Sequence, residues 1–535
     1  MTAQPDYLEN AKDRVLNSIV AQDILKELNK LQALVAEHGK RWIFELIQNA
    51  LDVADKDGVD IEITHENGKV KFSHNGKGFN EEEIIHLIYH GSTKFGSKEK
   101  SGKLGTGFIA THLLSKQVKV FGVLNEKEKF EFTLNREAET LEDLTAKMQE
   151  TWTELQKSRK VETCEQRTTY EYYLKNQEEI GIYNDGIDTI KEIVPLLLTF
   201  DLRLRTLTII DDKRLVWSRN QSQNKDIVRI KLTENDKEID SKISAVLKNE
   251  DNGVIVGIPL CQKDGDLSIL DMSKLPKLYY PLPLIKTENF PFPGLISSIS
   301  FIPMDDRDGV MLTKSSESKD VESNIKIIKL AYELFNEILS SINKWNYTNL
   351  YNIAKFPNSE ILDAYNKWLD KDLITQLVKD LIIKICNSKV FYVGNTNITP
   401  KEGHIPVLKG EDDNQKDEFR KIWKLASELY PDFVPTEDTA LIWNDIVNGW
   451  STYLPISDSE EALKGVLTIE NLADFVEERQ NISKLQSHII NTSAINWLNI
   501  LLELILLTKK NSLIDEKRIL PDQRQLLEQA EKKYM

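Results

Sequence analysis

At 535 residues the chain is too long for a single hydrophobic core, and at roughly 100 to 200 residues per domain it predicts about three. Its 40% hydrophobic and 29% charged residues suit an ordinary folded protein, and a formal charge of -16 argues against broad nonspecific nucleic-acid binding without excluding a local basic groove. Cys164, Cys261 and Cys386 follow no metal or redox spacing, the N-terminus lacks a secretion signal, and the longest apolar run, Ile495 to Leu507, is too short to span a bilayer, so a cytoplasmic protein is expected.

In chain order, residues 6 to 37 read as a helix with Leu16, Ile19, Ile24, Leu25, Leu28, Leu31, Leu34 and Val35 on its stripe, and a second helix runs from Arg41 to Asp55. Val59 to His65 alternates apolar and polar residues, Asn67-Gly68 signals a tight hairpin, and Val70 to Ser73 alternates again, so a strand pair feeds the loop His74 to Gly78. Glu81 to Tyr89 predicts a short helix. The polar run from Gly91 to Gly102, with Lys94, Lys98, Lys100 and the following Lys103, reads as a mobile loop, and helix resumes from Phe108 to Ser115. Val118 to Val123 and Phe130 to Leu134 predict strands, Glu137 to Lys160 a charged helical insertion, and Thr168 to Leu174 another strand.

The middle third has strand candidates at Arg205 to Ile210, Arg214 to Trp217, Ile227 to Leu232 and Val254 to Ile258, with one helix from Ile187 to Leu198. Prolines at 276, 281, 283, 291, 293 and 303 mark extended backbone beyond them. From Ile325 onward helical periodicity dominates, clearest in Tyr332-Phe335-Ile338-Leu339-Ile342 and Trp497-Leu501-Leu504-Ile505. The expected architecture is α+β throughout, with domains at residues 1–175, 176–324 (α+β) and 325–535 (mainly α-helical).

The chemistry concentrates near the N-terminus. Glu45, Asn49 and Asp52 fall at i, i+4 and i+7, so two carboxylates and an amide share one helix face, giving a base and a metal ligand together. A surface helix with routine polar pairs would show the same spacing, and it is the two glycine clusters that follow which favour a nucleotide site. Gly76 and Gly78 end a strand, where they permit close backbone approach, although a plain turn also uses them. Gly102-Lys-Leu-Gly-Thr-Gly107 opens a helix, whose N–H groups suit phosphate oxygens. The spacing matches neither a P-loop nor a dinucleotide loop.

In this order and spacing the three segments resemble the ATP-binding module of the GHKL superfamily, which includes DNA gyrase, the ninety-kilodalton heat-shock chaperones, histidine kinases and MutL. The likeness covers roughly residues 20 to 175 and implies a Bergerat-type α/β sandwich that binds ATP and Mg2+. It implies Glu45 as the general base, Asn49 as the magnesium ligand and Asp52 in the nucleotide pocket. His74, Asn75, Gly76 and Gly78 would form the base pocket, and Lys94, Gly102, Lys103, Gly105, Thr106 and Gly107 would meet the phosphates beneath a closing lid. Thr168, or Thr169 in its place, would help bind adenine or an ordered water. The family usually places aspartate where this sequence has His74, since a carboxylate accepts from the adenine amino group. A neutral imidazole nitrogen can also accept, or His74 packs and another group reads the base.

In gyrase, MutL and the chaperones a second domain follows and sends a basic side chain to the γ-phosphate. The middle domain fits that slot, transducer-like, with Arg307 as the candidate ahead of Lys314 and Lys286, although an Arg among three aspartates also suits an ion-paired turn. The string Arg41-Trp-Ile-Phe-Glu-Leu-Ile-Gln-Asn with His74-Asn-Gly looks most like the sacsin-type modules of large bacterial proteins, some of them associated with defence against foreign DNA. The resemblance implies that ATP favours transient association of two N-terminal modules as a homodimer, and the expected ATPase converts lid closure through its middle domain into movement of the helical third, with an unidentified protein client. Two alternatives stand: a non-hydrolysing nucleotide sensor, and a DNA-acting machine like MutL or gyrase, for which no basic groove or nuclease residues are found. His38, His65, His86, His90, His112, His404 and His488 show no metal spacing, and the tryptophans of the last third read as core.

Overall fold

The alternation in Val59-Asp-Ile-Glu-Ile builds the first hairpin of the protein, β1 (Val59–Glu66) and β2 (Lys69–His74), closed by Asn67 at φ 54° and Gly68 at φ 72°. Two successive left-handed residues make the tight turn whose twist matches its strands. In the computed structural model the described residues are 7–33, 39–89, 107–161, 166–220, 226–249, 253–263, 266–304, 307–313, 319–341, 347–365, 367–408, 415–454, 464–522 and 526–528. By its internal contacts the chain divides into two units: Met1–Val246 with Tyr279–Pro283 and Ser297–Ile299, and Leu247–Leu278 with Leu284–Ile296 and Ser300–Met535.

The first unit is a mixed sheet with helices on one face. Beyond the hairpin come β3 (Gln117–Leu124), β4 (Glu128–Asn135), β5 (Lys160–Val161), β6 (Thr168–Tyr173), β7 (Leu204–Ile210), β8 (Arg214–Asn220), β9 (Ile227–Glu234) and β10 (Lys237–Asn249). Their order is β10-β9-β8-β7-β1-β2-β6-β3-β4-β5, with β1 and β7 parallel. Strands β7 to β9, expected in a separate middle domain, therefore extend the same sheet as β1. The expectation also lacks β10, whose charged start hides it; its signal is the left-handed pair Asn235 and Asp236, a second tight hairpin turn.

Helix α1 (Tyr7–Ala33) buries Ala21, Ile24, Leu28 and Leu31, packed with Ile109, Leu144 and Met148. Leu16 and Ile19, expected on the same stripe, are about half exposed, and Leu34 and Val35 lie outside the described residues. Helix α2 (Arg41–Asp52) buries nearly every residue, because the sheet covers one side and α5 (Gln177–Phe200) another. Trp42 Nε1 donates to the Ile182 carbonyl at 3.2 Å and its ring stacks on Tyr183. Helix α5 begins ten residues before the expected Ile187, capped by Asn176, since its polar opening turns carry no apolar stripe. Between them lie α3 (Glu81–Ile88) and α4 (Leu141–Ser158), the latter capped by Thr140. The helix expected from Phe108 is a 3-10 helix, Gly107–Leu113, followed by a bond from Leu114 N–H to the Thr111 carbonyl at 3.0 Å.

The second unit opens with the hairpin β11 (Val254–Lys263) and β12 (Asp266–Ile269) and is then mainly helical: α6 (Lys319–Ser341), α7 (Lys371–Cys386), α8 (Gln415–Leu429), α9 (Glu437–Trp450), α10 (Ile469–Arg479), α11 (Ile482–Gln486), α12 (Ala494–Leu507) and α13 (Ser512–Glu516). Trp368, Trp443, Trp450 and Trp497 are core residues, and Trp497 Nε1 donates to the Leu425 carbonyl at 3.1 Å. Trp345 lies outside the described residues. Among the described residues no helix is long and apolar enough to cross a membrane.

Candidate functional site

Helix α2 has so little solvent-facing surface that its polar residues are buried with the apolar ones. Glu45 is 4% exposed and Gln48 1%, while Asn49 is half-buried and the Asp52 carboxylate is fully shielded. Removing such groups from water costs free energy unless something engages them. Glu45 has Arg41 Nη2 at 3.9 Å, one turn earlier. Asp52 faces Arg203 Nη1 at 3.7 Å, and Arg203 also grips Asp201 through Nε at 3.0 Å and Nη2 at 2.8 Å. Asp52 thereby anchors the end of α2 to the turn that precedes β7.

Two backbone approaches mark the ends of this face. A Cβ on Gly107 would lie 2.0 Å from Glu45 Oε2, so the Glu45 carboxylate rests directly on the backbone where the second glycine cluster ends. Lys94, Gly102, Lys103, Gly105 and Thr106 lie outside the described residues. At the far end of α2, Lys77 N–H donates to the Val53 carbonyl at 2.8 Å, and a Cβ on Gly76 would come within 2.8 Å of that oxygen. Gly78 N–H donates to Gln166 Oε1 at 2.9 Å, and Phe79 N–H to the Val123 carbonyl at 2.8 Å. Glu45 and Val53 are eight residues apart, which on a helix is about 12 Å. That span is comparable to the length of an extended nucleoside triphosphate.

His74 closes β2 with its ring buried on the helix-covered face. Register sets it opposite Ile61 on β1 and Thr168 on β6, so Thr168, 1% exposed, shares its face. Thr169 points to the other face, where its hydroxyl meets that of Ser73 at 2.9 Å. Burial, with a smaller contribution from Arg167, pulls the His74 pKa down to about 4, so the ring is neutral near pH 7. Gly76 N–H donates to its Nδ1 at 3.3 Å. Because an amide N–H can only donate, Nδ1 is the acceptor and the ring proton sits on Nε2. The expectation that His74 accepts from an adenine amine therefore meets a ring whose accepting nitrogen is already engaged.

Asn75 serves the loop itself: Asp60 N–H donates to its Oδ1 at 2.7 Å and its Nδ2 donates to Asp60 Oδ2 at 3.1 Å. Arg307 belongs to the second unit and shapes a turn there at φ 52°, its N–H bonded to the Met304 carbonyl at 2.9 Å. Lys286, the alternative, also has positive φ, 68°, and Lys314 is outside the described residues. Among the described residues no group of three or more His, Cys, Asp or Glu could hold a metal ion by itself. Sequence reasoning missed Arg203 and Gln166. Each is joined to the site across a large chain separation, and no local pattern announces such a pair.

The family described as Histidine kinase-, DNA gyrase B-, and HSP90-like ATPase matches residues 39–168, a span that begins just before α2 and ends at Thr168. Among curated proteins none matches the chain. The matched span holds Glu45, Asn49, Asp52, His74, the glycines and Thr168, and it makes this N-terminal module a member of the GHKL superfamily of ATPase domains.

Proposed function

We propose that the module binds ATP with Mg2+ and hydrolyses it, Glu45 acting as general base. The observation that carries this reading is the Glu45 carboxylate resting on Gly107. A base at the edge of a phosphate-binding loop stands where water attacking a terminal phosphate needs a proton acceptor. Glu45 takes that proton while the water oxygen bonds to the γ-phosphorus and the bond to ADP breaks. Arg41, at 3.9 Å, supports the charged carboxylate between turnovers.

The residues present fit the bound groups. A side chain at Gly76 would strike the Val53 carbonyl, and at Gly107 the space of a Cβ is filled by the Glu45 carboxylate, so both glycine loops run close against α2, where Asn49 offers an amide oxygen one turn from Glu45. Mg2+ is typically held by one or two protein oxygens together with phosphate and water, and bound there it would neutralise phosphate charge. Closure of the lysine-bearing segment that contains Lys94 and Lys103, association of two modules, and a basic residue such as Arg307 reaching the γ-phosphate would couple turnover to conformational change. These last steps rest on the likeness to gyrase, MutL and the chaperones, and a role in bacterial defence on the likeness to sacsin-type modules. Steady-state phosphate release and ATP calorimetry on wild type and Glu45→Ala test the reading. The variant should bind ATP and lose turnover; wild-type turnover in it removes Glu45 from the chemistry, and a wild-type protein that binds but never hydrolyses is a nucleotide sensor.

A further inference from the structure

We infer that His74 reads the nucleobase as a hydrogen-bond donor, so that the site holds a purine through an acceptor atom on its six-membered ring edge and accepts 6-keto purines alongside adenine. The inference rests on the nucleotide reading above and concerns which base that site takes.

On the nucleotide reading above, three features favour His74 as the position of the base. That reading puts the phosphates where Glu45 meets Gly107, and the Gly76 loop docks on Val53 about 12 Å away along α2. His74 stands at the mouth of that loop, on the sheet face that α2 covers, with the Thr168 hydroxyl directly across the strand pair. The Nδ1 atom is taken by Gly76 N–H at 3.3 Å, and among the described residues Nε2 has no hydrogen-bond partner. The ring as a whole is buried, so a base that docks against Nε2–H without offering an acceptor leaves that donor shielded from water and unmet.

A carboxylate in this position would favour adenine, whose 6-amino group donates to it, over a 6-keto purine, which presents the acceptor O6 at the same place. Nε2–H makes the opposite demand. Adenine satisfies it through N1 and a 6-keto purine through O6, whereas the adenine amino group, a donor, cannot. Unmet donors are the strongest discriminators available to a pocket of this kind.

Calorimetric titration of the wild-type protein with ATP, ITP and 1-deaza-ATP tests this directly. ITP should bind within tenfold of ATP, and 1-deaza-ATP, which lacks the N1 acceptor, at least tenfold more weakly than ATP. His74→Asp should restore a preference for ATP over ITP of tenfold or more. A wild-type preference for ATP over ITP beyond tenfold, or 1-deaza-ATP bound as tightly as ATP, overturns the inference and leaves the ATPase reading intact. Binding of none of the three removes both. Nitrogen NMR of the histidine ring serves as a check that needs no variant: the Nε2–H tautomer is expected near pH 7, and the Nδ1–H tautomer overturns the proposal.

Discussion

Helix α2 buries Glu45 and Gln48 among Trp42, Ile43 and Leu46, whereas α12 in the second unit buries Ala494, Trp497, Leu498, Leu501, Leu504 and Ile505 and leaves Asn499 and Glu503 outside. Although α12 also exposes Ile495, Leu506 and Leu507, it keeps its polar residues out of the core, and α2 does not. A helix whose job is packing has no reason to keep a carboxylate 4% exposed, since desolvating a charge costs several kcal/mol. Where that cost is retained, and the carboxylate rests on a glycine backbone, the burial points to a ligand that uses the group. The two helices thus separate what holds the protein together from what it does.

The contrast can be broken most decisively at Glu45 and Trp497. Glu45→Gln keeps the shape and removes the base, so phosphate release should fall about 10²- to 10⁴-fold with unfolding free energy within about 1 kcal/mol of wild type. Trp497→Ala should do the reverse, costing about 3–5 kcal/mol in urea unfolding while turnover per folded molecule is kept. Equal destabilisation by the two variants would make Glu45 a structural residue and dissolve the comparison.

His74 gives a pH-dependent version of the same contrast. Its folded pKa of about 4 lies below the ordinary 6.5, so the unfolded chain takes up a proton first as pH falls. The stabilising preference for the neutral ring is complete above pH 6.5 and is lost toward pH 4. Between pH 7 and pH 5 this removes about 2 kcal/mol of stability. Urea unfolding of wild type against His74→Gln at the two pH values should show the loss in wild type alone; equal losses would assign the sensitivity to other groups.

How much of this is legible in the chain depends on how local the physics is. Asn67-Gly68 dictates its turn by left-handed preference, and the spacing of Glu45, Asn49 and Asp52 puts them on one face of α2, both within a few residues. The start of α5 is less visible, because its opening turns are polar and only the Asn176 cap marks it. The tautomer of His74 is not legible at all, since it depends on where the Gly76 amide points once the loop has docked on Val53. Nor is the fate of Asp52, whose partner Arg203 is brought to it by the parallel pairing of β1 and β7. A pattern places side chains on faces; packing decides which partners they meet.

The smallest expected effect separates two asparagines that sequence reasoning assigns to the same site. Asn75 is bonded in both directions to Asp60, which Arg205 also holds by Nε at 2.9 Å and Thr206 by its hydroxyl at 2.7 Å. Asn75→Asp turns the 3.1 Å amide donor into a carboxylate opposing a carboxylate, and Arg205 absorbs part of that repulsion, so a loss of about 1–2 kcal/mol in stability is expected. Asn49→Asp, on the half-buried part of α2, should change stability by less than about 1 kcal/mol and instead shift the magnesium concentration at which ATP binds, because it alters the charge of an oxygen ligand. Calorimetry across a magnesium series, beside thermal unfolding of each variant, assigns the two amides. If Asn75→Asp moves the magnesium dependence and Asn49→Asp does not, the metal end of the site lies at the β2 loop, and the direction assigned to the nucleotide along α2 is reversed.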